Sequence, residues 1–89
     1  MAVSDSLVRQ EIRKFIVDNF LFGDEGAAPA RDQPLVKSGV VDSTGILEIV
    51  DLIETRWGVK TSDDELSAEN FGTIDAIAAF VLRKTTIAA

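Results

Sequence analysis

The chain has 89 residues, fifteen acidic against nine basic, for a net charge of −6, and it contains neither histidine nor cysteine. That length predicts one domain over residues 1–89, with a core too small to surround a deep catalytic pocket. Without cysteine there are no disulfides or thiolate metal sites, and without histidine there is no imidazole acid–base group.

The first element is predicted from Ser4 to Phe20. Val8, Ile12, Phe15, Ile16 and Phe20 recur at helical spacing, while Arg9, Arg13 and Lys14 fall largely on the opposite side. Ser4 or Ser6 is placed to cap this helix, and Gly23 ends the pattern. The opening "MAVSDSLVRQ" lacks the basic-then-apolar order of a secretory signal, and no apolar run approaches the ~20 residues that cross a bilayer. A soluble, cytoplasmic, monomeric protein is the expectation.

About 20 residues follow without sustained periodicity, "GDEGAAPARDQPLVKSGVVD", holding three glycines and two prolines. Leu35, Val36, Val40 and Val41 are apolar enough to pin the second half of this loop to the core. The next helix is predicted from Ser43 to Arg56. Ile46, Ile49, Val50, Ile53 and Trp57 form its apolar face, widened by Leu47 and Leu52, with Glu48, Asp51 and Glu54 aligned on the outside. Gly58 breaks the pattern, and "AENF" (residues 68–71) reads as a short helical turn carrying Phe71 inward. Thr73 then caps "IDAIAAFVLRKT", where Ile74, Ile77, Ala78, Val81 and Leu82 make another apolar face. Arg83 and Lys84 stand at its end, where cations suit the helix dipole. No segment alternates with period two. The predicted fold is all-α, a small bundle of three to four helices with a long loop between the first and second.

The charge is unevenly spread. Between Asp42 and Asp75 nine acids face only Arg56 and Lys60. Such a field repels phosphate backbones, which argues against nucleic acid, and steers the molecule toward basic patches on other proteins. Solubility alone is the plainer reading of the same excess.

Conventional catalysis has little to work with. No Ser-His or Cys-His pair is possible, no glycine-rich phosphate loop is present, and Lys37 and Lys60 lie in polar loops where a lowered pKa is hard to arrange. Asp63-Asp64-Glu65 lacks the alternating ligands, central glycine and terminal glutamate of a calcium loop, so it reads as a solvated turn and no metal site is predicted. The chain is not expected to be an enzyme. What stands out is a hydroxyl at the mouth of the acidic helix, in "GVVDSTG". Free N–H groups and the positive dipole end favour a phosphate carried on Ser43. Capping of the helix by Asp42 or Ser43 accounts for the same dipeptide, at about 1 kcal/mol.

With its helix order, its loop ending in "LVKSGVVDS", its acidic second helix, short third helix and apolar last helix, nearly the whole chain resembles the acyl carrier protein family, peptidyl and aminoacyl carriers included. The mark of that family is Asp-Ser at the start of helix two, here Asp42-Ser43. The resemblance implies that Ser43 receives 4′-phosphopantetheine from coenzyme A through a magnesium-dependent phosphopantetheinyl transferase. A cysteine-free chain would then carry acyl or aminoacyl thioesters on a borrowed thiol and present them to acyltransferases or synthases with basic docking patches. Many members have leucine or methionine directly after the serine; here Thr44 and Gly45 follow. That pattern is more similar to the discrete carriers loaded by adenylate-forming ligases, the D-alanyl carriers of teichoic acid modification among them. Asp42, Thr44, Gly45, Glu48, Asp51 and Glu54 are the residues it implies for partner recognition. A glycine inside a helix costs about 1 kcal/mol relative to alanine, which makes a close approach at Gly45 the expectation. The alternative without a prosthetic group is a helical interaction module that docks through the same acidic face.

Overall fold

The computed structural model describes residues 4–88, with side chains through Thr85. It is all-helical among those residues: α1 (Asp5–Phe20), α2 (Ser43–Trp57), α3 (Ala68–Phe71) and α4 (Ile74–Ala88) pack around one core. The three long helices start at side-chain caps. Ser4 is extended and its hydroxyl accepts from Leu7 N, so Ser4, not Ser6, caps α1. Asp42 caps α2, and Thr73 Oγ1 accepts from Ala76 N at 3.0 Å to cap α4. Gly58, at φ +69°, ends α2 in the left-handed conformation, and its N–H donates to the Glu54 carbonyl.

The predicted apolar faces converge. Val8, Ile12 and Ile16 of α1, Ile49 and Ile53 of α2, and Ile74, Ile77, Ala78, Phe80 and Val81 of α4 are buried, and α1 packs chiefly on α4. Phe71 does turn inward, its ring 5.2 Å from that of Phe80. No helix among the described residues is long and apolar enough to cross a membrane.

The chain departs from expectation in three respects: the order of the long loop, the exposure of Val36 and the reach of α4. The long loop is more ordered than its composition suggests. It contains a 3-10 turn at Glu25–Ala27, where Asp24 Oδ1 accepts from Gly26 N, and it is hydrogen-bonded to the far side of the bundle by Leu35 N to Gly72 O and Asp75 N to Arg31 O. Leu35 and Val41 are buried and Val40 packs against the core, but Val36 is half exposed and pins nothing. Asp63-Asp64-Glu65 is the turn expected there, in 3-10 form, closed by a capping box in which Glu65 reaches back to the Ser62 N–H. Finally, α4 runs past Thr85 to Ala88, so Arg83 and Lys84 are not in its last turn. Their charges serve Asn70 and Glu65 instead.

Ion pairs brace the bundle. Arg56 at the end of α2 grips Glu11 of α1 with two nitrogens, Lys84 meets Glu65 at 2.9 Å, and Arg9 and Arg31 both meet Asp75 at the head of α4. Hydrogen bonding from Arg56 holds the Glu11 carboxyl below its ordinary pKa, against the opposing effect of burial. The Ser62 backbone N–H, and then Lys84, do the same for Glu65. A carboxylate whose pKa is lower when folded contributes stability above its unfolded pKa of about 4.3 and loses it as pH falls through the folded value. Thermal melts followed by circular dichroism should therefore show the melting temperature dropping below about pH 4.5. Glu65→Gln should lower stability at pH 7 while flattening that acid limb.

Candidate functional site at the first turn of α2

The dipeptide Asp42-Ser43 is resolved into two separate roles. Asp42 has an extended backbone, and its Oδ1 accepts from Gly45 N at 2.7 Å. The cap belongs to the aspartate, which leaves the exposed Ser43 hydroxyl, on the first helical residue, uncommitted by it. Ser43 thus stands where the free N–H groups and dipole of a fifteen-residue helix favour negative charge.

Two residues further on, α2 is clamped. A Cβ on Gly45 would lie 2.6 Å from Val41 Cγ1 and 2.9 Å from Phe20 Cε1. The close approach expected of Gly45 is real, and it has a direction. The last residue of α1 lies against the first turn of α2, while Arg56 at the other end of α2 reaches Glu11 in the middle of α1. The two helices therefore run antiparallel, with Ser43 at the end of the bundle where α1 finishes.

A groove of about 680 Å³ opens beside Ser43, between α2 and the two connections. Val36 and Lys37 form one wall, Leu47 of α2 a second, and Leu66 and Phe71 a third. Val36, Leu47 and Leu66 are also among the large apolar side chains most exposed to solvent. Burying them in the bundle would remove apolar surface from water; their exposure around Ser43 leaves an apolar groove open beside its hydroxyl. Sequence reasoning assigned Val36 to the core and Leu47 to the edge of an apolar face, and gave Leu66 no role. The one available signal was a lone leucine in the polar run "SDDELS".

The residues expected to recognise partners do not act as one stripe. Thr44, Glu48 and Asp51 are exposed and line a second groove, of about 510 Å³, shared with Phe15 and Asn19 of α1. Glu54 is half buried, and its Oε2 accepts from Thr61 N at 3.0 Å, fastening the chain after Gly58. Glu48 and Asp51 remain as free carboxylates; Glu54 has structural work. Gly45 is buried and acts through packing. No family model matches the chain, and no curated protein matches it.

If the Gly45 contact sets the junction of α1 and α2, Gly45→Ala should destabilise the protein by about 1–3 kcal/mol, as overpacked sites do, although alanine is the better helix former. Urea melts at pH 7 test this directly. An unchanged midpoint would mean that Phe20 and Val41 yield freely.

Proposed function

We propose that the protein is a discrete carrier: a chain without catalytic activity of its own that holds acyl or aminoacyl groups as thioesters on 4′-phosphopantetheine attached to Ser43. The observation that carries this reading is the division of labour at Asp42-Ser43. The aspartate supplies the cap, and the serine hydroxyl stands exposed at a helix N-terminus beside an open apolar groove. A hydroxyl in that position has no base to make it a nucleophile unaided, since histidine is absent from the chain. It is suited to an enzyme that brings its own base and magnesium. The serine proton passes to that enzyme's base, the Oγ–P bond forms as the phosphoanhydride bond of coenzyme A breaks, and 3′,5′-adenosine bisphosphate departs as the leaving group.

The residues present fit such a group. Ser43 supplies the attachment oxygen, the free N–H groups of the α2 N-terminus favour the phosphodiester charge, and Lys37 lines the same groove as the serine. Val36, Leu47 and Leu66 offer apolar surface to the rest of the arm. When bound, the arm supplies a terminal thiol, the functional group that this sequence lacks. Tethering makes each later transfer a meeting of protein surfaces at high effective concentration. Thr44 and Gly45 favour loading by an adenylate-forming ligase, through the likeness of "DSTG" to the discrete carriers.

The test is a weighing. Incubation with coenzyme A, magnesium and a broad-specificity phosphopantetheinyl transferase should add one phosphopantetheinyl increment to the intact mass, and Ser43→Ala should abolish it. A chain that stays unmodified is instead an acidic helical docking module. The free carboxylates of α2 generate a second expectation. Glu48→Lys combined with Asp51→Lys should slow modification about tenfold or more at low salt, mainly through association, with the difference shrinking as salt screens the field. Equal rates at low ionic strength would remove those two residues from partner recognition.

A further inference from the structure

Two grooves meet at the first turns of α2, and their charges are opposite. Leu47, exposed over more than half its surface, lines both and forms the ridge between them. Ser43 lines the first groove, where Lys37 is the one charged side chain. Thr44, the next residue, lines the second, where the charged side chains are Glu48 and Asp51 and no base joins them. Neither carboxylate has an ion-pair partner among the described residues. The bases are mostly committed elsewhere. Of the nine in the chain, Lys37 and Lys60 alone form no ion pair or side-chain hydrogen bond among the described residues.

The free lysine stands on firm backbone. The carbonyl of buried Leu35 accepts from Val40 N and Val41 N at 3.1 Å, and Ser38 N and Gly39 N donate back to the Pro34 and Val36 carbonyls. The Lys37 side chain itself is exposed. It is a flexible cation held at the wall of the groove that contains the attachment oxygen. A phosphodiester on Ser43 keeps a negative charge at neutral pH. Turned toward Lys37, that charge gains a charge-assisted hydrogen bond; turned toward Glu48 and Asp51, it meets like charge. Asp42 adjoins Ser43 whichever way the group turns, so it does not choose between them. Beyond the phosphate, the first direction also offers the apolar walls of Val36 and Leu66.

Resting on the carrier reading, we infer that Lys37 binds the phosphodiester of the arm and lays the resting arm into the first groove, leaving the Glu48 and Asp51 groove open. A partner then engages the acidic face without first displacing the arm. Lys37 positions the arm and takes no part in its attachment. Backbone amide NMR shifts, recorded before and after phosphopantetheine is attached, test this once intact mass shows complete modification. Amides next to Ser43 shift from attachment alone, so the informative ones lie further away. Shifts should concentrate at Val36, Leu66 and Phe71, with Phe15, Asn19 and Leu52 nearly unmoved. Lys37→Met keeps an apolar stem without the charge. It should leave the melting temperature of the unmodified chain unchanged and shrink the first-groove shifts by about half or more, while Lys37→Arg retains them. Added salt should shrink them in the unsubstituted chain as well. Shifts centred on the second groove, shifts spread equally over both, or shifts undiminished in Lys37→Met each overturn the proposal. A chain that gains no mass defeats the carrier reading before any spectrum is compared, and this inference falls with it. A modified chain whose shifts lie elsewhere defeats the inference alone.

Discussion

The contact of Phe20 and Val41 with the bare α-carbon of Gly45 is the constraint on which the rest of this structure depends. It brings the end of α1 and the end of the long connection onto the first turn of α2 at a distance that no Cβ permits. One residue earlier on the chain than that turn, Asp42 satisfies the Gly45 N–H. The same glycine is therefore held through its backbone by a carboxylate and through its missing side chain by an aromatic ring. Ser43 sits between these two fixings, carried on rigid backbone with its hydroxyl turned over to solvent. On the carrier reading proposed above, such positioning would leave only the attached group to move.

The charged residues follow a similar economy. Most of the cations are occupied inside the molecule: Arg56 with Glu11, Arg9 and Arg31 with Asp75, Lys84 with Glu65, Lys14 with Asp18 and Arg13 with Glu25. Exposed pairs of this kind contribute little each to stability. Their larger effect is on the field. Once these bases are paired internally, the carboxylates left without partners, Glu48 and Asp51 among them, determine what the α2 face presents to an approaching protein.

How much of this was legible beforehand depends on the range of the interaction. Helical spacing in "VRQEIRKFIV" and "GILEIVDLIETRW" specifies which faces are buried, because burial of one side of a helix is written every three or four residues. Caps at Ser4, Asp42 and Thr73 are readable too, since their partners lie three residues away. The choice between Asp42 and Ser43 as the cap was open, because both residue types serve; the geometry assigns it to the aspartate. Contacts between distant segments left no local mark. Nothing in "LVKSGV" separates buried Leu35 from exposed Val36, and nothing in "EIVDLIE" announces that Glu54 will turn back to hold Thr61. The close approach at Gly45 was signalled only as a helix-weakening residue in a place where a stronger helix former would fit. The full exposure of Phe22 gave no signal, since an aromatic beside Leu21 reads as core until the backbone turns left-handed.

One pair of backbone hydrogen bonds has a mechanical consequence. Leu35 N donates to Gly72 O at 2.8 Å and Asp75 N to Arg31 O at 2.9 Å, stitching the long connection to the α3–α4 junction. Pro34, Val36 and Lys37 on one side of the groove, and Phe71, Gly72 and Thr73 on the other, are in consequence parts of a single fused jaw. Its width cannot change by either segment swinging out alone without breaking these stitches. Any change in the trench's width therefore has to involve both segments together, with Leu35 buried at the seam between them.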